Sequence, residues 1–379
     1  MIAGRSYVIE ASGFADGPAQ ALRDHLVANG AASVTTIAHP LVPEGPRRHR
    51  VTIAGANVDA GHRDIRRPFR PPLTYPFDLV TPVIPPRAEV WFGFNNLAAA
   101  RGLAARRLHR VDRVVYWAVD FFPDRFGPGL MTKAYDAVDG LASKRADLRV
   151  ELSAAALDGR ADRLQLGDRA APAVVVPMGA WLDRVPTTGP DHHAKRKVVF
   201  LGHLVPRMGA ATLLDAMEIL VDRPDPPALE VIGGGPLLEE LRQRVSHGTL
   251  AGHVKMLGFV EDHQDVERIL ASSSVAVAPY ETSGESFTRF ADPGKLKSYL
   301  AAGLPIVLTD VPPNASELQA EAGAELVEAD PSAIARGIER ALADASDWQR
   351  RRTAALTYVR RFDWPTVLGP VIERVTTPN

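Results

Sequence analysis

Lys295 is the side chain in this sequence best suited to bind an anion. It lies within residues 275–307, where two short apolar runs typical of buried strands enclose a loop and one short helix. Asp292 is expected as the N-cap of that helix, Pro293 as its first residue and Gly303 as its end. A lysine in the first turn opposes the helix dipole by roughly 0.3–1 kcal/mol, and a bound anion would offset that cost. The stretch therefore predicts a phosphate or diphosphate site, with a solvated lysine as the alternative.

Three consecutive glycines form a second stretch that could bind a ligand. Gly233, Gly234 and Gly235 follow a predicted strand and precede a predicted helix. Glycines at such a turn let backbone amides approach a ligand closely. A tight turn without a ligand explains one glycine, so three of them favour a ligand.

Length and composition limit what kind of protein must position these residues. A chain of 379 residues is too long for one ordinary core, so two domains are expected. A formal net charge of -1 gives no electrostatic case for binding nucleic acid. The absence of cysteine excludes disulfides and thiolate metal sites and favours a reducing compartment. The amino-terminal residues lack the features of a signal peptide and no apolar run approaches about 18 residues, so a cytoplasmic protein is expected.

Predicted strands and helices alternate along most of the chain, which indicates α/β domains with parallel, doubly wound sheets. Residues 183–196 are polar, contain proline and lack periodicity, as is typical of a linker between two such domains. Residues 40–88 are rich in proline, arginine and glycine, and a long loop is expected there. Folds of this class bind ligands at the carboxyl ends of their strands, so a cleft between the domains is the expected site.

The second half of the chain resembles the glycosyltransferases of the GT-B fold. The resemblance is carried by VVFLGHLVPRMGAATLLDAM, LEVIGGGPLLEEL and VKMLGFVEDHQDVERILASSSVAVAPY, in the order of that family's donor domain. FDWPTVLGPVIERV resembles the family's final helix. The resemblance implies two Rossmann-like domains facing each other across a cleft. Residues 1–188 would bind the acceptor, 189–358 the nucleotide sugar, and 359–379 would form a helix that crosses back to the first domain.

Within this fold the chain is most similar to the xanthan-type glucuronosyltransferases, which are inverting enzymes. The shared pieces are APY at 278–280, K-L-x-x-Y at 295–299 and G-L-P-x-V at 303–307. VVYWAVDFF matches that group's Y-x-x-x-D, which implies Asp120 as the catalytic base, with Tyr116 as the motif tyrosine.

A broader similarity to the retaining, GT4-like glycosyltransferases is weakened by three departures. The arginine, lysine and helix glutamate of that pattern are replaced by His203, Met208 and Ser298. Retaining chemistry is therefore a second hypothesis rather than the first expectation. A nucleotide-sugar 2-epimerase is a third hypothesis, and a non-catalytic nucleotide-sugar-binding protein is a fourth.

The resemblance implies a donor site in the second domain and one base in the first. Asp120, with Asp124 as the next candidate, would take the acceptor proton, and Lys295 would stabilise the leaving diphosphate in place of a metal. Lys295 is expected to be exposed in the empty cleft, and Glu267 is a further candidate for the ribose hydroxyls. The expected donor-binding residues are Gly202, His203, Arg207, Gly233, Gly234, Gly235, Phe259, Val260, Tyr280, Glu281, Gly294, Lys295 and Leu296.

The leading hypothesis is a metal-independent, inverting glycosyltransferase. It would move a sugar, with glucuronic acid as the sugar that the resemblance names, from a UDP-linked donor to a glycan, glycolipid or other glycoconjugate acceptor. No metal or cofactor is expected besides the nucleotide-sugar co-substrate.

Peripheral contact with anionic lipid at the inner face of the cell membrane is also expected, with a solvated arginine-rich surface as the alternative. The contact would use arginine clusters and nearby aromatic residues of the first domain: 47–50, 63–70, 101–113, Trp91, Phe92, Phe121, Phe122 and Phe126.

Overall fold

The computed structural model describes most of the chain: residues 1–13, 17–40, 48–56, 61–66, 87–123, 125–282 and 287–377. Asp124 and much of the arginine-rich stretch 40–88 lie outside the described residues. The chain divides into two compact units, Met1–Pro177 with Trp364–Asn379 and Met178–Asp363.

The limits of the two units differ from the expected domain boundaries. The first unit ends at Pro177 rather than at 188, and the second ends at Asp363 rather than at 358. The segment after Pro177 belongs to the second unit because the Met178 amide donates to the Asp292 carboxylate at 2.7 Å. Such a long-range hydrogen bond cannot be read from the composition of a linker.

The first unit is built around one sheet. Its strands and helices are β1 (Ser6–Ser12), α1 (Pro18–Ala28), β2 (Ser33–His39), β3 (Arg48–Ala54), β4 (Gly61–Arg66), β5 (Ala88–Gly93), α2 (Asn96–Arg107), β6 (Val111–Ala118), α3 (Leu130–Arg145), β7 (Leu148–Glu151), α4 (Ala154–Arg163) and β8 (Ala173–Val175). The strand order is β4-β3-β2-β1-β5-β6-β7-β8. β2, β1, β5, β6, β7 and β8 pair in parallel. This part of the sheet is therefore the predicted parallel α/β arrangement.

β3 and β4 correct the prediction of a long loop over residues 40–88. They extend the sheet as antiparallel neighbours of β2 and of each other. Antiparallel edge strands need no crossover helix and can leave one face in water. Their arginine-rich sequences therefore lack the continuous apolar run that marks a buried parallel strand.

The second unit is a wholly parallel α/β layer. Its elements are β9 (Lys197–Leu201), α5 (Ala210–Val221), β10 (Ala228–Ile232), α6 (Leu238–His247), β11 (Val254–Gly258), α7 (His263–Ala271), β12 (Val275–Ala278), α8 (Gly294–Ala301), β13 (Ile306–Thr309), α9 (Ala315–Ala322), β14 (Glu325–Val327), α10 (Pro331–Ala343) and α11 (Ala345–Val359). The strand order is β11-β10-β9-β12-β13-β14. This is the doubly wound order of a Rossmann sheet, and it reverses between β9 and β12.

The final helix, α12 (Trp364–Thr376), returns to the first unit. It starts five residues later than expected, at 364 rather than 359, because Arg360–Phe362 forms a separate 3-10 helix. The Phe362 carbonyl accepts a hydrogen bond from the Ala180 amide at 2.8 Å, which holds this turn in the second unit. Among the helices described, none is both long enough and apolar enough to cross a membrane.

Gly233→Ala should destabilise the protein far more than Gly234→Ala. Gly233, just after β10, has a φ of 144°, and an added Cβ would lie 1.9 Å from the Gly202 carbonyl oxygen. The clash and the backbone strain should cost about 2 kcal/mol or more. At Gly234 the nearest atom to an added Cβ is Phe259 Cβ at 3.5 Å, so the cost should stay within about 0.5 kcal/mol. Urea unfolding measures both, and equal midpoints would contradict this account of the turn.

Candidate functional site

The predicted donor-binding residues gather at the carboxyl edge of the second unit's sheet. Because the strand order reverses between β9 and β12, a ligand crevice is expected at this edge. The residues there are Gly202 and His203 after β9, Arg207 in the 3-10 helix Pro206–Met208, Gly233, Gly234 and Gly235 after β10, Phe259 and Val260 after β11, Tyr280 and Glu281 after β12, and Gly294, Lys295 and Leu296 in the first turn of α8.

The Lys295 amine is buried between two aromatic rings at this edge. Its Nζ lies 4.2 Å from the ring centroid of Tyr280 and 4.8 Å from that of Phe200. Among the described residues it has no hydrogen-bond partner. A Cβ built on Gly202 would lie 3.6 Å from it. The expectation of an exposed lysine is therefore wrong, because the side chain covers the two rings beside the end of β9.

Burial lowers the pKa of Lys295 to about 7. An ammonium group taken out of water without an anionic partner loses its hydration, which disfavours the charged form. Each cation–π contact with a ring face stabilises the charged form by only about 0.5–2 kcal/mol, so the two contacts offset this cost in part. An anion bound beside Gly202 would supply the missing partner. The geometry therefore suits a diphosphate.

Asp292 does not cap α8 as expected. Its carboxylate accepts hydrogen bonds from Lys297 Nζ at 3.0 Å, from the Met178 amide at 2.7 Å and from the Asn314 amide group at 3.3 Å. Lys297 is 1% exposed and also lies over the Phe362 ring, with Nζ 3.8 Å from the centroid. A buried ammonium needs a carboxylate partner, and this demand takes Asp292 away from the helix terminus.

The first turn of α8 offers fewer free amides than expected. Pro293 occupies the N-cap position, and its carbonyl accepts the Leu296 amide at 3.0 Å. Leu296 is therefore not available to an anion, which corrects its predicted role. Among the described residues, the amides of Gly294 and Lys295 have no acceptor, as is usual at a helix start. Gly303, with a φ of 74°, lies just past the last turn, as expected.

Two tyrosines complete the floor of the site. The Tyr299 hydroxyl accepts the Leu201 amide at 2.7 Å and so ties α8 to the end of β9. The Tyr280 hydroxyl is buried without a hydrogen-bond partner in the described part of the chain. Burial raises the pKa of Tyr280 well above its ordinary value, which keeps the hydroxyl protonated.

Two of the three glycines after β10 are required by backbone packing rather than by a ligand. An added Cβ on Gly233 or Gly235 would lie 1.9 Å from the Gly202 oxygen or 2.6 Å from the Leu204 oxygen. The Leu204 amide donates to the Gly234 carbonyl at 2.8 Å, which joins the turns after β9 and β10. The argument that three glycines imply a ligand is therefore corrected, because only Gly234 among the three lacks a close backbone neighbour in the described part of the chain.

Phe259 and Val260 provide an apolar surface beside Gly234. Phe259 is 73% exposed although it is a large aromatic residue, and Val260 is half-buried. An exposed ring at the end of a strand offers a flat face on which a nucleobase can stack.

The loops after β9 and β12 are joined at Arg207. The Glu281 amide donates to the Arg207 carbonyl at 3.0 Å, and burial lowers the pKa of the half-buried Arg207 guanidinium. The Glu281 carboxylate accepts a hydrogen bond from the Thr212 hydroxyl, so one of its oxygens is already occupied. His203 is exposed at the same edge.

Glu267 is enclosed rather than open. Its Oε1 accepts from Arg184 Nε at 3.0 Å and lies 2.9 Å from His263 Nδ1, while Oε2 is buried without a partner among the described residues. The predicted role as an open acceptor for ribose hydroxyls does not fit this burial.

Asp120, the predicted base, lies in the first unit just after β6. Its side chain is 40% exposed and forms an ion pair with Arg125. The Arg125 guanidinium also lies over the rings of Phe122 and Tyr135, at 5.7 and 5.6 Å from their centroids. Asp120 and Lys295 belong to different units, so the two catalytic candidates are positioned by separate sets of contacts.

A buried ionic network holds the main chain at Asp120. Arg160, 1% exposed, donates to the Asp120 carbonyl at 2.6 Å and to Glu151 at 2.9 Å, and it pairs with Asp139. Tyr116 donates to Asp139 at 2.6 Å, so this tyrosine of the Y-x-x-x-D motif has a structural role. Burial raises the pKa of Glu151 to about 7, against the opposing effect of Arg160.

Sequence reasoning missed the buried charges of both units. Lys297, Arg160 and Asp139 lie on helices and are buried, and the sequence analysis gave none of them a role. The charged pair Arg149 and Glu151 inside the buried strand β7 was the available signal, because a charge in an apolar run needs a partner.

Several residues expected to contact lipid lie in the interior of the first unit. Trp91, Phe92 and Phe121 are buried, and Arg101 pairs with the buried Glu10. These four side chains are therefore not available to a membrane, whereas Arg107 and Arg110 of the same clusters are exposed, and membrane contact through them stays a prediction. Large apolar residues that are exposed in this unit include Phe126, Leu130 and Met131.

Among known proteins, a family model matches part of the second unit. Residues 195–344 match the family model described as Glycosyl transferases group 1. The matched residues all lie within the second unit. Phosphatidyl-myo-inositol mannosyltransferase from Mycobacterium tuberculosis is 31% identical over 232 residues, which cover 57% of this chain and 57% of that protein. The chain thus matches little more than half the length of this relative.

Solved structures extend the likeness to almost the whole chain. Sucrose-phosphate synthase from Thermosynechococcus elongatus has a TM-score of 0.71 at 17% identity and covers 98% of this chain and 99% of that one. Anabaena HepE, solved in complex with UDP, has a TM-score of 0.65 at 17% identity, with coverage of 98% and 99%. At this identity the likeness shows the fold alone. The predicted GT-B fold class is confirmed. The resemblance to the xanthan-type group stays a prediction, because these comparisons do not show it.

Lys295→Met should change how the stability of the protein depends on pH. The lysine pKa is lowered from 10.5 to about 7 in the folded chain, so the unfolded chain binds more protons between these values. Wild-type stability relative to Lys295→Met should therefore fall as pH decreases through this window and level off below about 7. The difference in the free energy of unfolding between wild type and Lys295→Met should change by about 1 kcal/mol or more between pH 9 and pH 7. Urea unfolding at a series of pH values measures it, and parallel curves would contradict the burial of a free amine.

Proposed function

We propose that the protein is a glycosyltransferase that uses a nucleotide sugar as donor. The observation that carries this proposal is the buried amine of Lys295, unpaired among the described residues, at the carboxyl edge of a group 1 glycosyltransferase domain. Transfer of the sugar releases a nucleoside diphosphate, and the negative charge that develops on it needs a positive partner. Lys295 and the free amide of Gly294 would supply that partner without a metal, and metal independence stays a prediction.

The remaining residues of this edge would position the nucleotide. The exposed ring of Phe259 would stack on the base beside Gly234, and Arg207 would contact the diphosphate from the turn after β9. The protonated hydroxyl of Tyr280 would donate to a phosphate or sugar oxygen. These roles keep the donor fixed while the bond from the sugar to the diphosphate breaks.

Asp120 is proposed as the general base on the acceptor side. The acceptor oxygen would attack the anomeric carbon of the sugar, its proton would pass to the Asp120 carboxylate, and the bonding electrons would leave with the diphosphate. A single displacement of this kind inverts the anomeric configuration. The ion pair with Arg125 must open, or rotate aside, before the carboxylate can take the proton. The buried Arg160 network would keep the backbone of Asp120 in place during that change.

Asp120→Asn should lower turnover about 10²–10⁴-fold and leave donor affinity nearly unchanged, because an amide keeps the shape but cannot accept the proton. Release of nucleoside diphosphate in the presence of acceptor measures turnover. Asp112→Asn is the matched control and should retain wild-type rates, because Asp112 is an exposed carboxylate on β6, the strand that precedes Asp120.

Two outcomes would count against the role of Asp120. One is that Asp120→Asn keeps more than a tenth of wild-type turnover. The other is NMR evidence for a product whose anomeric configuration is retained. In the second case a retaining, GT4-like reaction becomes the mechanism, and Asp120 is a loop carboxylate held by Arg125.

The donor sugar is proposed from two kinds of relative. The Mycobacterium tuberculosis relative is named as a mannosyltransferase, and Anabaena HepE was solved with UDP. The resemblance in the loop and helix around Lys295 named glucuronic acid instead. We therefore propose a hexosyl or glucuronosyl donor linked to UDP or GDP, and a binding experiment decides between them.

A thermal-shift panel of UDP-glucose, UDP-glucuronic acid, GDP-mannose and TDP-glucose should show selective stabilisation by one nucleotide class, because a ligand that binds the native state raises its stability. Lys295→Met should lose most of that shift, since it keeps the contacts with the rings but lacks the amine. No shift with any donor would contradict the proposed function. A shift without turnover in the presence of acceptor would favour a non-catalytic binding protein, and isomerised sugar without acceptor would favour a 2-epimerase.

A glycolipid acceptor is also proposed. The mannosyltransferase relative is named after a lipid, phosphatidyl-myo-inositol, and this supports a lipid-linked acceptor. Contact with a membrane stays a prediction. Leu130 and Met131, exposed at the start of α3, are described residues suited to it.

A further inference from the structure

We propose that the Lys295 amine of the unliganded protein is uncharged at mildly alkaline pH and that this amine takes up one proton when the donor diphosphate binds beside it. This inference rests on the proposed function, because it concerns the ionisation of the same diphosphate site. It adds a property that neither the fold nor the family implies, namely that donor affinity depends on pH through one lysine.

The first support is that no counter-ion contacts the amine within the described part of the chain. Lys295 Nζ contacts the faces of Phe200 from β9 and Tyr280 after β12, and no hydrogen-bond partner for it is found among the same residues. The hydroxyl of Tyr299, on the same helix, is engaged with the Leu201 amide. A charge held at this position would be both desolvated and unpaired.

The second support is that the acidic side chain at the helix start is already committed. Asp292 binds Lys297 Nζ at 3.0 Å and the Met178 amide at 2.7 Å. The neighbouring turn after β9 contributes Arg207 and His203, whose charge, when present, has the same sign as that of lysine. Burial is accordingly the cause that lowers the pKa of Lys295 to about 7.

The two lysines of α8 serve as an internal comparison. Lys295 and Lys297 are both buried at their amines, and both lie over an aromatic ring. Lys297 has a carboxylate partner, and Lys295 has none among the described residues. The Lys297 amine is therefore placed to be charged at all times, whereas the Lys295 amine is placed to become charged when an anion binds.

A bound diphosphate restores the charged form because its oxygens provide the missing partner at contact distance. The uptake should approach one proton per donor at about pH 8 to 9, where the free amine is neutral. It should vanish near pH 6, where the amine is already protonated. Donor affinity should fall about tenfold for each pH unit above roughly 7.5, since one proton is linked to binding.

Isothermal titration calorimetry tests the coupling directly. UDP-glucose and GDP-mannose are suitable probes because their diphosphate diesters stay fully ionised over this pH range and contribute no proton. Binding heats at pH 8 in HEPES and in Tris should differ by the difference in ionisation heat of the two buffers for about one proton, and at pH 6 the heats in MES and in Bis-Tris should agree. Lys295→Met should show weaker binding and no buffer dependence. Lys255→Met, an exposed lysine on β11, should behave like the wild type.

The free protein provides a test that needs no donor. Labelling lysine at Cε with ¹³C and recording a pH titration by NMR should reveal one resonance with a midpoint more than two pH units below the exposed lysines. Its loss in Lys295→Met assigns it. A Lys295 midpoint equal to that of exposed lysines would overturn the inference, as would donor binding at pH 8 without proton uptake. Failure of every nucleotide sugar of the thermal-shift panel to bind would instead contradict the proposed function, and the NMR midpoint would still decide the charge of Lys295.

Discussion

The donor edge depends on one constraint, which is that the Lys295 amine has no counter-ion in the part of the chain that the structure describes. The amine is held by the faces of Phe200 and Tyr280, and these rings lie in or just after the two strands between which the sheet order reverses. A desolvated amine persists only where the surrounding packing is well determined. The reversal therefore does more than open a crevice, because it also brings together the two rings that keep the amine in place.

Helix α8 is fixed on two sides so that its first turn can present this group. On one side Lys297 and Asp292 form a buried pair that also binds the Met178 amide at the start of the unit. On the other, the Tyr299 hydroxyl binds the main chain at Leu201. The stability of these contacts offsets the cost of the unpaired amine, as is common where strain or desolvation is stored at a functional site.

The first unit uses buried charge in a different way. Arg160 satisfies Glu151, Asp139 and the Asp120 carbonyl, so its guanidinium fixes a loop without facing a ligand. The carboxylate of Asp120 lies at the surface end of this arrangement and is paired with Arg125. Rigid main chain and a partly exposed side chain are what a base needs if it must be held in place and still exchange a proton.

The sequence by itself determined the α/β class and the doubly wound arrangement, because period and strand-helix alternation are local properties of the chain, whereas the candidate donor residues came from the resemblance to the GT-B glycosyltransferases. Only the tertiary structure decided the state of individual side chains. The burial of Lys295, the capture of Asp292 by Lys297, the backbone role of Gly233 and Gly235 and the network around Arg160 all depend on residues far apart in sequence. Desolvation and ion pairing are set by what surrounds a group in space, and that information appears only when the strands are assembled.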